Sequence, residues 1–175
     1  MMIIDRFGLL LIISALELAH SQPGPCDDLN KVVIGDEKRT YTYIHNYTTE
    51  NPFSDDRLVR QWYKINRTIG DQMVQSSPGA FSCGTWYPIW LNGNLSSIPG
   101  EVFVRNVCLQ SFSNECDQTW AINIIYCCDG SFIYELTPSP FIDSGYCFGL
   151  QEPYQFPGAF SQCQKDSGKV VVDFK

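Results

Sequence analysis

Eight cysteines that all follow a hydrophobic leader constrain this chain more than any other feature. They are Cys26, Cys83, Cys108, Cys116, Cys127, Cys128, Cys147 and Cys163. Thiols that enter the secretory pathway oxidise, and an even number of them there reads as a disulfide framework. Sequence alone permits about 105 pairings of eight cysteines.

The leader, Met1 to Ser21, has the parts of a signal peptide. Arg6 supplies a weak positive start, offset by Asp5, and Phe7 to Leu16 a mostly apolar run of about ten residues. Ala19 and Ser21 are the small residues a signal peptidase reads, so cleavage is expected before Gln22. The alternative is an uncleaved anchor. Against it, the run falls short of the ~20 residues that span a bilayer, and Glu17 interrupts its end. The terminal stretch Lys169 to Lys175 is too short for a hydrophobic anchor signal. The expectation is a secreted, extracellular chain with no transmembrane anchor once the leader is removed.

The formal net charge is −7, and Lys and Arg are scattered apart from Lys38-Arg39. Phosphate backbones need clustered positive charge, which argues against nucleic acid as a partner. Three N-glycosylation acceptors appear, at Asn46, Asn66 and Asn94, each followed two positions later by Thr or Ser. In a secreted chain a glycosylated asparagine must face solvent.

The periodicity is that of strands. Thr40 to Ile44 alternates polar and apolar residues, and Gln61 to Ile65 nearly does so. In Glu101 to Val107, Val102, Val104 and Asn106 share one face, while Phe103, Arg105 and Val107 share the other. Asp129-Gly130 sits between Trp120–Tyr126 and Ser131–Leu136, which predicts a β-hairpin in the C-terminal half. Val170 to Val172 is a last short strand candidate, and Ser54 to Tyr63 has room for one helical turn. The predicted class is mainly β: a small, disulfide-stapled, β-rich domain with long loops.

Several blocks carry a family resemblance. They are Gln61-Trp62-Tyr63-Lys64-Ile65, Cys83-Gly84-Thr85, Pro88-Ile89-Trp90-Leu91-Asn92-Gly93, Val104 to Cys108, Cys116, Cys128 to Leu136 and Tyr146-Cys147. In this order they resemble the cysteine-rich domain of uromodulin-like proteins, which also occurs in the pancreatic zymogen-granule glycoprotein. With the signal peptide at 1–21, the resemblance implies the cysteine-rich domain at 22–147, followed by an extension at 148–175 tied by Cys163. It also implies the bridges Cys26–Cys128, Cys83–Cys147 and Cys108–Cys116, leaving Cys127 and Cys163 for each other. A free Cys163 that joins another chain is the alternative. Four cysteines common in the family are missing, near Ser54 or Asp55, near Gln75, at Glu115, and near Phe141 or Ile142.

Catalysis is not expected. Past the leader the sole histidine is His45, which reads as a surface residue, and oxidised cysteines offer no thiolate as nucleophile or zinc ligand. Asp27-Asp28 and Asp55-Asp56 read as solvated turns rather than as calcium or hydrolytic sites. No cofactor is implied.

The resemblance implies instead a recognition module that presents N-glycans to microbial adhesins, a role in innate defence whose partner is a microbial lectin. In the family's mucosal members the key glycan sits on the last hairpin strand. Here Glu135-Leu136-Thr137 stands at that place, so the acceptor is lost. Display would run through Asn94, Asn66 or Asn46. The alternatives are a structural matrix or mucus component that works through an extracellular protein partner, and a sugar-binding domain proper. Trp62 and Trp90 lie in motif blocks and read as core, whereas Trp86 and Tyr87 follow a Cys-Gly-Thr turn and are the candidate surface patch.

Overall fold

Alternating side chains turn most of these segments into strands of one mixed sheet. The computed structural model describes residues 24–27, 31–96 and 98–149. The leader, Cys163, the Val170–Val172 segment and nearly all of the 148–175 extension lie outside the described residues. The strands are β1 (Val32–Ile34), β2 (Gln61–Ile65), β3 (Gln72–Met73), β4 (Tyr87–Asn92), β5 (Val102–Leu109), β6 (Gln118–Tyr126), β7 (Phe132–Leu136), β8 (Ser144–Tyr146) and β9 (Phe148–Gly149). Seven of them order as β1-β2-β7-β6-β5-β4-β8, and β3 pairs with β9 apart from the sheet. The four inner pairings are antiparallel, whereas the edge strands β1 and β8 join parallel to β2 and β4.

The period-2 pattern decides which side of the sheet is the core. Tyr63 and Ile65, Ile89 and Leu91, Ile122 and Ile124, and Phe132, Tyr134 and Leu136 all point to one face and join a single buried cluster. Each fully buried Ile, Leu or Phe there contributes roughly 1.5–3 kcal/mol of transfer free energy. On β5, Val102 and Val104 are exposed while Val107 is fully buried, the alternation expected for that strand. The opposite face is covered only locally, where Trp62 and Cys26 pack on Ile125, Cys127 and Ile133.

The β6–β7 hairpin forms at Asp129-Gly130. Gly130 N–H donates to the Cys127 carbonyl at 2.9 Å, and Cys127 N–H to the Ser131 carbonyl at 2.8 Å. Gly130 has φ +79°, so the left-handed position falls on the residue that lacks a Cβ. Asp129 accepts from Ser131 N–H at 2.9 Å and from its hydroxyl, closing the turn with its own side chain.

One local expectation fails. Thr40–Ile44 is not a strand. It makes isolated bridges to Phe148 and Ser82, and Tyr43 N–H turns back to the Thr40 carbonyl. Its alternation reflects one side chain, Tyr43, whose hydroxyl donates to Glu50, not a buried sheet face. Ser54–Tyr63 does hold one turn, closed by Leu58 N–H to the Asp55 carbonyl at 3.2 Å, before β2 begins. The short 3-10 helices lie elsewhere, at Glu37–Arg39 and Arg67–Ile69, capped by Asp36 and Asn66.

The disulfides correct one implied pairing. Cys26 bonds to Cys127, not to Cys128, at a sequence separation of 101. Cys127 follows Ile125 by two, so it faces the side where residue 26 packs, and Cys128 has the opposite parity. That pairing also removes Cys127 as a partner for Cys163. Cys83 bonds to Cys147 and Cys108 to Cys116. Cys128 is also disulfide-bonded, to none of the other described cysteines.

Candidate functional site

All three sequon asparagines are exposed, and each sits in a connection rather than in a strand. Asn46 folds into a tight polar turn: its Oδ1 accepts from Thr48 N–H at 3.1 Å and from the Thr48 hydroxyl at 2.6 Å. Asn66 caps the Arg67–Ile69 turn, with Oδ1 accepting from Thr68 N–H at 3.1 Å. In both residues the oxygen is engaged and the amide nitrogen, the atom a glycan joins, is left over. Asn94 follows β4, and its carbonyl accepts from Arg105 Nε at 2.7 Å.

Glu135 stands on β7 at the place of the displaced acceptor. Its carboxylate accepts from Arg60 Nε at 3.1 Å and Nη2 at 3.2 Å, and from Asn123 Nδ2 at 2.6 Å. The Arg60 hydrogen bonds, then the one from Asn123, outweigh the partial burial and hold the carboxyl below its usual range. A fork–fork ion pair thus fills the sheet face at this position.

The aromatic surface keeps Tyr87 of the two expected residues and extends beyond it. Trp86 and Tyr87 are only half-exposed; Trp86 buries its indole N–H, and Tyr87 packs on the main core. The exposed rings nearby are Tyr47 and Phe112, at 65% and 57%. With Phe81 and Tyr87 they form one continuous row. Ring centroids are 5.4 Å apart for Tyr47–Phe81, 5.1 Å for Phe81–Phe112 and 5.0 Å for Phe112–Tyr87. Trp62 and Trp90 are half-buried, Trp90 donating its indole N–H to the Glu115 carbonyl at 2.8 Å.

Two further readings change. His45 is buried, not a surface residue, and neither ring nitrogen has a hydrogen-bond partner; Glu50 Oε2 lies 3.6 Å from Nδ1. Asp55 is no solvated turn residue. It is 1% exposed and takes both Arg39 Nη1 at 2.7 Å and Nη2 at 2.6 Å, with Tyr146 N–H donating at 2.8 Å. Arg39 also lies over the Phe53 ring, 4.2 Å from its centre.

This network spans two of the places where family cysteines are missing. Asp143 N–H donates to Ser54 Oγ at 3.0 Å, Asp55 N–H to the Ser144 carbonyl at 2.8 Å, and Ser139 N–H to the Asp55 carbonyl at 2.9 Å. Polar contacts hold these two segments together. Sequence reasoning missed both this pair and the aromatic row. The only hint of the pair was the empty cysteine position beside Asp55.

Among the described residues, no three His, Cys, Asp or Glu side chains converge as a metal site, and no helix is long and apolar enough to cross a membrane.

Known proteins match this stretch of sheet in sequence. The family model for the uromodulin-like cysteine-rich domain matches residues 63–148, from the middle of β2 to the start of β9. Uromodulin of Mus musculus is 26% identical over 140 residues, covering 78% of this chain and 21% of its own length. Uromodulin of Rattus norvegicus is 25% identical over 144 residues, covering 80% of this chain and 22% of its own. The pancreatic secretory granule membrane major glycoprotein GP2 of Rattus norvegicus is 26% identical over 129 residues, covering 70% of this chain and 22% of its own. The chain spans about a fifth of the length of these curated relatives. The disulfide-stapled sheet built from Tyr63 to Phe148 is a uromodulin-like cysteine-rich domain.

Proposed function

We propose that this chain is a secreted, non-enzymatic glycoprotein module that displays N-linked glycans to lectins, microbial adhesins among them. The carrying observation is that Asn46, Asn66 and Asn94 are all exposed, on connections clear of the strands. The glycoprotein named among the relatives supports the same reading. His45 is buried beyond reach of a substrate, which supports a role in binding rather than catalysis. Glu135 is committed to Arg60 and Asn123, so display runs through the loops.

The test uses the full chain from secreting animal cells. Its N-terminus is expected at Gln22. The purified protein should bind a mannose-specific bacterial adhesin and lose that binding on enzymatic removal of its N-glycans. Asn→Gln changes at the three sequons then locate the site. Absence of binding in both states overturns the display reading. A second reading, contact with an extracellular protein, is favoured by one observation: Val102 and Val104 lie 47% and 56% exposed on the outer face of β5.

A further inference from the structure

The row of rings from Tyr47 to Tyr87 begins one residue from Asn46. We infer that this row is the seat of the chain's own Asn46-linked glycan, which lies along it instead of projecting into solvent. The inference rests on Asn46 carrying a glycan. The observations that point to it are local. Asn46 and Tyr47 ride on one turn, closed by Thr49 N–H at 3.2 Å and Glu50 N–H at 2.9 Å to the Asn46 carbonyl. A glycan joined at Asn46 therefore starts one residue along the chain from Tyr47.

From there the centroids continue at 5.4, 5.1 and 5.0 Å to Phe81, Phe112 and Tyr87. These steps are about the length of one pyranose residue in an extended chain. Aromatic faces are electron-rich, and the C–H groups on a pyranose face carry partial positive charge, so the two surfaces attract. The sugar's hydroxyls stay in water or reach the hydroxyls of Tyr47 and Tyr87, which hold no hydrogen bond among the described residues.

The platform is rigid. Phe81 sits at φ +66°, a left-handed position rare for an aromatic residue. It is held there by His45 N–H donating to its carbonyl at 2.6 Å and by its own N–H donating to the Trp86 carbonyl at 3.3 Å. Cys83, two residues on, is bonded to Cys147. The exposed rings of Tyr47 and Phe112 pack on Phe81, and such an aromatic surface calls for a covering group. Covalent attachment gives the Asn46 glycan a local concentration no free ligand matches.

The test is site-resolved release of N-glycans from the native protein by an amide-cleaving glycosidase, followed by mass spectrometry. Asn46 should be released at least about tenfold more slowly than Asn66 and Asn94, as a tethered contact of high effective concentration requires. Phe112→Ser should bring Asn46 to the rate of the others, with its thermal midpoint recorded as a control for folding. Tyr47→Ser keeps the acceptor sequence and serves as the second variant. Equal release at all three sites, or a slow Asn46 that neither variant speeds, overturns the inference. An unoccupied Asn46 overturns it too. Display by Asn66 and Asn94 stands or falls separately, on adhesin binding.

Discussion

Arg39 and Asp55 show how much one buried pair can carry. Both side chains are almost wholly out of water, at 10% and 1% exposure, and each is the other's ion-pair partner at 2.6 Å. Removing one partner of such a pair costs about 3–5 kcal/mol, because the survivor is left buried and unpaired. Asp55→Asn is therefore expected to lower stability by about 3 kcal/mol in urea unfolding. Arg39→Met in that background should recover part of the loss, a coupling that a double-mutant cycle measures. Asp129 sets an acid limit at the same scale. Partial burial alone would raise its carboxyl, but hydrogen bonds from Ser131 and then Lys64 prevail and bring it down to about 2. A folded-state value below the unfolded one of 3.8 stabilises the fold above that pH, and this contribution is lost as pH falls through about 2. The urea midpoint should drop between pH 5 and pH 2, and Asp129→Asn should flatten that drop. Neither residue announced its role in the sequence. Arg39 and Asp55 are sixteen positions apart with an irregular loop between them, a separation with no periodic signature.

Elements were legible where a local pattern alone decided the geometry. The β6–β7 hairpin followed from Asp129-Gly130, since one residue there must take positive φ, and β5 followed from side chains that alternate along its length. Gly130→Ala tests the first. A Cβ would meet nothing closer than Arg67 Nη2 at 3.8 Å, so the cost is that of the left-handed backbone alone, about 1–2 kcal/mol by thermal or chemical unfolding. Thr40–Ile44 misled because a tyrosine hydroxyl reaching Glu50 mimics the alternation of a half-buried strand. The edge strands β1 and β8 are three residues each and pair parallel, so their partners lie far away in sequence. The aromatic row was illegible for a related reason: its four rings come from three stretches of chain, around residues 47, 81–87 and 112, that only the folded chain brings together.

At the scale of the whole molecule, the family resemblance gave the framework, and strand parity corrected it. Adjacent cysteines at 127 and 128 look equivalent to any rule based on order, yet they leave the end of β6 on opposite sides. Disulfide mapping with fragmentation between Cys127 and Cys128 is expected to find Cys26 on Cys127 and Cys163 on Cys128. Replacing Cys26 and Cys127 together by Ser should cost about 2–4 kcal/mol, the usual value for a long closed loop.

The same bridge has a mechanical consequence. Tension applied to the chain on either side of the loop passes from Cys26 straight into Cys127 and bypasses the sequence separation of 101 between them. About 330–360 Å of contour length stays hidden from a pulling force until this bond and Cys83–Cys147 are both reduced. The segments that hold Asn46, Asn66 and Asn94 lie off the shortest covalent path through these bonds.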